Sequence, residues 1–154
     1  MSVPKSWQSD EDLKVLTYAE ELLGYTFDIC HREKTVKEGD KKHKEPVFPQ
    51  RYWSCFTSKI IQLASEAYDD LFYANEIRLD RNTTPELFAE RRDNQLRALA
   101  KLRSMYPKIT FAWHRFSIET NSIEYWSLLI GRTIAQAERW ASSDVSRFNN
   151  RNKT

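Results

Sequence analysis

Apolar residues recur every three or four positions along most of this chain, which is the spacing of one face of an α-helix. Residues 122–140 show this pattern most clearly. Their inward face is predicted to consist of Ile123, Trp126, Ile130, Thr133, Ile134, Ala137, Trp140 and the following Ala141. Arg132 and Arg139 fall on the opposite face. Because a glycine inside a helix costs about 1 kcal/mol relative to alanine, Gly131 predicts a close approach of a second helix.

The same periodicity predicts four amphipathic helices. Their expected bounds are residues 10–31, 50–75, 85–106 and 121–142. Ser9, followed by three acidic residues, is a predicted N-cap for the first helix. Thr84 followed by Pro85 predicts the start of the third helix. Pro107 should end that helix or kink it, with a kinked extension to residue 116. Its predicted core stripe is Phe88, Leu96, Leu99, Leu102 and Tyr106.

The remaining segments are polar. Residues 32–46 are predicted to be a charged loop and residues 143–154 a polar tail that frays. No alternating strand pattern competes with the helices. The sequence therefore predicts an all-α fold, an antiparallel up-down four-helix bundle, in a single domain over residues 1–154.

Length and composition narrow the class of protein. A chain of 154 residues supports one domain with one substantial core. Three glycines argue against a glycine-rich nucleotide loop. No apolar run is long enough for a membrane span, and the polar N-terminus does not resemble a secretory signal. Cys30 and Cys55 are too few for a disulfide framework, so we expect reduced thiols in a cytoplasmic protein.

Charge is distributed unevenly along the chain. The net charge is +2, but residues 86–154 carry 12 basic and 7 acidic side chains, a net of +5, and most of the basic ones are Arg. Arginine makes forked contacts to phosphate, and a basic half can attract nucleic acid. The candidate contact residues are Arg91, Arg92, Arg97, Lys101, Arg103, Lys108, Arg115, Arg132 and Arg139. For each, the alternative is a surface or interface salt bridge.

Catalytic signatures are scarce. His31 and His43, with Cys30 and Cys55, could be imagined as a zinc set, but no CxxC or HxxxH spacing supports one. No nucleophile elbow or catalytic-cysteine signature occurs. We therefore expect a protein that is not an enzyme and that uses no metal or cofactor. An enzyme with an unrecognised site in the helical core is the remaining alternative.

Three segments carry a resemblance to a known family. They are RYWSCFTSKIIQLASEAYDDLFYANEI (51–77), ERRDNQLRALAKLRSMY (90–106) and SIEYWSLLIGRTIAQAERWASSD (122–144). The chain resembles, over about residues 13–144, a family of bacterial four-helix-bundle proteins. That family includes the accessory variability determinant (Avd) of diversity-generating retroelements and the bundle proteins encoded in ribosomal RNA intervening sequences.

The resemblance implies a non-catalytic accessory protein. Avd-like proteins form pentameric rings and bind a reverse transcriptase together with its template RNA, in support of mutagenic cDNA synthesis. The expected partners are therefore a reverse transcriptase, RNA (with cDNA or DNA as further nucleic-acid partners) and further copies of the same chain, without a membrane. The charged loop at 32–46 is longer than is usual in the family and is expected to make a partner-specific contact. The alternative is a structural or protein-interaction bundle without a reverse-transcriptase partner.

Overall fold

Four long helices and one β-hairpin make up most of this protein in the computed structural model, which describes residues 10–151, with side chains from residue 14 onward. The helices are α1 (Asp10–Cys30), α2 (Ser58–Glu76), α3 (Pro85–Phe116) and α4 (Thr120–Asn150), and the strands are β1 (Glu33–Glu38) and β2 (Lys41–Pro46). The Thr84 hydroxyl oxygen accepts a hydrogen bond from the Leu87 N–H at 3.2 Å, which confirms the predicted cap of α3. The predicted cap Ser9 lies outside the described residues.

Each helix packs against two others. α1 contacts α2 and α4, and α3 contacts the same two helices from the other side. The faces predicted from periodicity meet in one core, whose largest fully buried side chains include Trp126, Trp140 and Phe48. Leu96 was expected in that core, but 45% of it is exposed, because α3 turns Gln95, Ala98 and Leu99 inward instead. None of the described helices is both long enough and apolar enough to cross a membrane.

Residues 32–46 are not a loop, which corrects the sequence prediction. β1 and β2 pair antiparallel, from Glu33 opposite Pro46 to Glu38 opposite Lys41, around a two-residue turn of Gly39 and Asp40. Gly39 has a φ of 62°, a conformation that glycine adopts at no steric cost at the first central position of a type II′ turn. A glycine–aspartate pair between two segments of strand length was a local signal for this hairpin.

The two C-terminal helices are long. α3 continues through Pro107 to Phe116, the end of its predicted extension, because Met105, Ile109 and Ala112 stay fully buried on both sides of the proline. Burial of that stripe outweighs the roughly 3 kcal/mol that an interior proline costs. α4 also continues through most of the predicted polar tail to Asn150, where the Phe148 ring stacks on Phe88 at a centroid distance of 4.2 Å.

A buried ion pair joins α3 to α4 at the end of the molecule where α2 terminates. The Arg91 guanidinium donates to the two carboxylate oxygens of Asp144 at 2.5 and 3.0 Å, and the two side chains are only 3% and 1% exposed. Gln95 donates to the same carboxylate at 2.8 Å. Arg91 also donates to the backbone carbonyls of Ala74 and Ile77, which lie at the end of α2. This network therefore ties three helices together.

We expect Arg91→Ala to lower the free energy of unfolding by about 3 kcal/mol, because it leaves the buried Asp144 carboxylate with only Gln95 and, at 3.6 Å, the half-exposed Arg147 as partners. Arg92→Ala is the matched control, since the adjacent side chain pairs with no carboxylate among the described residues and should change stability by less than about 0.5 kcal/mol. Urea unfolding followed by circular dichroism measures both. Equal stability of the two variants would contradict a structural role for the Arg91 network.

The two cysteines are free thiols in different surroundings. Cys30 is buried at the end of α1, and burial raises its pKa from 9.0 to about 12, whereas Cys55 is exposed. A raised pKa in the folded state means that folding favours the protonated thiol. Above about pH 9 the thiol ionises in the unfolded chain but stays protonated in the folded protein. The stabilising effect of keeping Cys30 protonated is therefore complete below about pH 9, and it is lost as the pH rises toward 12.

We expect the wild-type protein to lose more stability between pH 8 and about pH 11 than a Cys30→Val variant, because only the wild type must keep a buried thiol protonated. Urea unfolding at several pH values measures this difference, and the comparison cancels the titration of lysines and tyrosines elsewhere. Parallel pH dependences of the two proteins would show that Cys30 does not titrate on unfolding.

Candidate nucleic-acid interface

A cleft lies where the C-terminal end of α3 meets the base of the hairpin and the turns before α2. It consists of two adjoining hollows with volumes of about 440 and 300 Å³. Both hollows are lined by Tyr52, Arg115 and Phe116. Lys34, Glu45 and Arg51 complete the first hollow, with neighbouring backbone, and Cys55, Phe56 and Phe111 complete the second. We call the combined surface the end cleft.

Residues 47–57 position one wall of the end cleft. Val47 donates its backbone N–H to the Arg32 carbonyl at 2.8 Å, and the Phe48 ring is fully buried against Phe116 and Trp126. From this anchor the chain makes a 3₁₀ turn, Gln50–Tyr52, and then a π turn, Trp53–Thr57, so α2 begins at Ser58 and not at residue 50 as predicted. The widened turn departs from α-helical spacing, and π turns occur frequently at functional sites. Here it leaves Tyr52 and Phe56 beside α3.

Aromatic rings line the end cleft in a connected series. Tyr52 stacks on Phe116 with a centroid distance of 5.9 Å and an interplanar angle of 20°. Phe56 contacts both Phe116 and Phe111, at 5.9 and 5.2 Å. Although these rings touch one another, Tyr52 remains 37% exposed and Phe111 53% exposed. Exposed, laterally supported rings are suitable platforms for stacking a planar ligand.

Positive charge surrounds these rings. Of the residues lining the two hollows, Lys34, Arg51 and Arg115 are basic, and only Glu45 is acidic. Glu45 is already bonded to His43 at 2.8 Å, whereas Arg115 pairs with no carboxylate among the described residues. The Arg51 guanidinium lies over the Tyr52 ring, 4.9 Å from its centroid. The end cleft therefore combines three basic side chains with partly exposed aromatic rings.

Ser117 marks the point where α3 ends in the end cleft. Its φ of 53° places it in the left-handed region, which is common for the residue that ends a helix but usually belongs to glycine. Arg115 lies in the last turn of α3, where a cation interacts favourably with the negative end of the helix dipole. The backbone at this point thus turns sharply away and leaves Arg115 exposed at the rim.

A second groove runs between α3 and α4, with a volume of about 720 Å³. Arg103 and Arg139 line it, but Arg103 is paired with Glu138 at 3.3 Å. Tyr106 also lines it, and burial raises the pKa of its hydroxyl. Gly131 belongs to the same groove: a Cβ atom there would lie 3.0 Å from the Tyr106 hydroxyl oxygen and within 4 Å of no backbone of another helix, so this glycine makes room for the end of a tyrosine side chain and not for the predicted close approach of a second helix. The groove has fewer exposed rings and less unpaired charge than the end cleft.

The nine predicted contact residues do not form one surface. Arg91 is the clearest correction, because it is buried and bonded to Asp144, which is the salt-bridge alternative. Lys101 donates to Asp70 at 2.6 Å, and Arg97 donates to Asn94 at 2.7 Å. Arg132 is hydrogen-bonded to Glu21 and covers the Tyr18 ring. Five of the nine have no carboxylate partner among the described residues: Arg92, Arg97, Lys108, Arg115 and Arg139.

Only Arg115 of that predicted set lines the end cleft, with Lys108 two helical turns before it on the same face of α3. The sequence did not predict Lys34, Arg51, Phe56 or Phe111 as part of a contact surface. Two local signals could have found part of the cleft: the adjacent Arg51 and Tyr52, and the four-residue spacing of Phe111 and Arg115 on α3. That these two pairs of residues lie beside each other depends on tertiary packing, which no local sequence pattern encodes.

Within the part of the chain that the structure describes, no three side chains of the metal-binding types come together. The imagined zinc set also does not assemble, since Cys30 is buried and Cys55 lies exposed in the end cleft. Comparison with known proteins adds no assignment. The chain matches no family model, and no curated protein or solved structure shows significant similarity to it.

Proposed function

We propose that this protein is a non-catalytic accessory factor that holds single-stranded RNA in the end cleft and presents it to a reverse transcriptase. The observation that carries the proposal is the combination of three basic side chains, Arg115, Arg51 and Lys34, with the partly exposed rings of Tyr52 and Phe111. Proteins that bind single strands use this combination, because cations follow the phosphates while aromatic rings stack on unpaired bases.

The shape of the end cleft favours a single strand over a duplex. Its hollows of about 440 and 300 Å³ are small enough to hold individual bases, and they adjoin each other through Tyr52 and Phe116. A base stacked on Tyr52 would take the place of the Arg51 guanidinium, which now lies over that ring, and a base stacked on Phe111 would lie near Arg115. Bases in a duplex are already stacked on each other, so they cannot use these rings.

The reverse-transcriptase partner and the retroelement setting come from the family resemblance of the sequence. Two features of the fold support them. The contacts of α1 with α2, α2 with α3, α3 with α4 and α4 with α1 suit an antiparallel up-down four-helix bundle. Unpaired Arg92 and Arg139 leave basic surface outside the end cleft for a larger RNA or for an acidic partner. We place the protein in the cytoplasm, where the retroelement RNA is reverse-transcribed.

Self-association into a ring, such as a pentamer, is part of the proposal. Tyr125 and Leu128, one helical turn apart on α4, are 51% and 58% exposed. Tyr25 lies edge-on to Tyr125 at 4.9 Å and extends this apolar patch onto α1. Aromatic and aliphatic side chains that stay exposed in a monomer are typical of subunit interfaces. The same patch favours the second candidate function, a protein-interaction bundle without a nucleic-acid ligand.

We expect Tyr52→Ala to weaken binding of a single-stranded RNA by about 5- to 150-fold, since stacking on one ring contributes about 1–3 kcal/mol. Tyr73→Ala is the matched control, because Tyr73 is also exposed but lies near the other end of α2. Fluorescence anisotropy with a labelled oligonucleotide of about eight nucleotides measures both variants.

The charge contribution has its own matched pair on α3. Arg115→Gln should reduce the slope of log affinity against log salt by about 0.7, the loss of one phosphate contact, while Arg97→Gln should not change it. RNA binding that is insensitive to both Tyr52→Ala and Arg115→Gln would exclude the end cleft as the RNA site. An absence of RNA binding at physiological salt would leave the protein-interaction function.

We expect Leu128→Glu to reduce the assembled mass of the protein to that of the monomer, because a carboxylate at the centre of the apolar patch cannot be buried without a partner. Light scattering coupled to size-exclusion chromatography measures the mass, and Leu87→Glu, at an exposed leucine on α3, is the control. A wild-type protein that is already monomeric would remove self-association from the proposal without affecting the end cleft.

A further inference from the structure

The hairpin β1–β2 separates its charges between two faces. Residues that stand directly opposite each other in an antiparallel pair point to the same side of the sheet. The register pairs Lys37 with Lys42 and Thr35 with Lys44, so three lysines share one side, which we call the lysine face. The opposite side places Lys34 with Glu45 and Glu38 with Lys41, and its charges balance.

The lysine face is unfavourable for the isolated protein. Side chains in directly opposed positions have Cβ atoms about 5 Å apart, and like charges at that distance are destabilising. Lys37, Lys42 and Lys44 are all exposed, and none of them pairs with a carboxylate among the described residues. The only acidic residue on this side is Glu33, at the base of the hairpin. Three lysines on one face of the hairpin, without a carboxylate partner, form a surface that an anionic ligand would neutralise.

The lysine face differs in chemistry from the end cleft. Lys34 and Glu45, from the balanced side of the hairpin, line the end cleft, and a neighbouring hollow of about 330 Å³ at the base of the hairpin is lined by Glu33, Lys34 and Thr35. No aromatic side chain stands on the lysine face, so it offers no ring on which an unpaired base could stack. A group of lysines with no aromatic side chain among them can contact the phosphate backbone of a nucleic acid whose bases are already paired.

We propose that the lysine face binds the phosphate backbone of a duplex segment adjoining the single strand held in the end cleft. The preferred ligand of this protein is then a nucleic acid with a junction between duplex and single strand. Strands of six residues at about 3.3 Å per residue let the hairpin extend about 20 Å from the cleft, which is long enough to follow a duplex backbone. This inference rests on the proposed function, because it takes the end cleft as the site of the single strand.

Three labelled RNAs test the proposal by fluorescence anisotropy: a single strand of about eight nucleotides, a blunt duplex, and the same duplex with that single strand as an overhang. We expect the overhang duplex to bind the wild-type protein about tenfold more tightly than the single strand. The triple variant Lys37→Ala, Lys42→Ala and Lys44→Ala should remove that advantage and reduce the salt slope for the overhang duplex by about 2. Its affinity for the single strand should remain unchanged.

A matched control removes the same charge elsewhere. Lys14→Ala, Lys41→Ala and Lys59→Ala together delete three exposed lysines that lie off the lysine face, and this variant should keep the advantage of the overhang duplex. Lys42→Glu is a second test that guards against unfolding, since it places opposite charges across the hairpin from each other and should not destabilise the hairpin. It should nevertheless lose the overhang advantage.

The inference is overturned if the overhang duplex binds no more tightly than the single strand, or if the two triple variants weaken its binding equally. Failure of the proposed function is a different result. In that case the single strand itself does not bind, or it binds equally well after Tyr52→Ala and Arg115→Gln. The two outcomes are read from different ligands and different variants, so one cannot be mistaken for the other.

Discussion

The buried pair of Arg91 and Asp144 is the constraint on which the arrangement of the helices depends. Two charges that are 3% and 1% exposed have lost almost all of their hydration, and only close, multiple hydrogen bonds can offset that loss. The bonds are available in one geometry: Asp144 on α4 faces Arg91 and Gln95 on α3, and Arg91 also reaches the last carbonyls of α2. A shift of one helix by a turn would leave a buried charge unpaired.

Because α3 is continuous, the register that Arg91 sets at one end of the helix also fixes the position of the residues at its other end. Twenty-four residues separate Arg91 from Arg115, which is about 36 Å along an unbroken helix. The continuity of α3 through Pro107 therefore matters for the candidate site, because a break there would uncouple the position of Phe111 and Arg115 from the register set by Arg91. The wall facing them is set independently, by the burial of Phe48 and the π turn that follows it.

The two proposed contact surfaces would engage different parts of a nucleic acid. In the end cleft, the exposed rings of Tyr52 and Phe111 would engage bases, and the cations beside them would engage phosphates. On the lysine face, cations are present without rings, so the contact would be to the backbone alone. The hairpin stands between the two surfaces. A surface that costs the free protein electrostatic energy is best understood as complementary to a ligand of opposite charge.

The sequence by itself determined the helices, because the three-to-four spacing of apolar residues and the Thr84–Pro85 cap are local properties. It also contained the Gly39–Asp40 turn, although a charged run of that length is equally expected of a solvated loop. Only the tertiary structure separated Arg91 from Arg92, two adjacent arginines of which one is buried and one is not. The difference depends on Asp144, 53 residues away, and no local pattern reports such a partner. For the same reason, the end cleft exists only after packing brings Tyr52 and Phe56 against Phe111, Arg115 and Phe116.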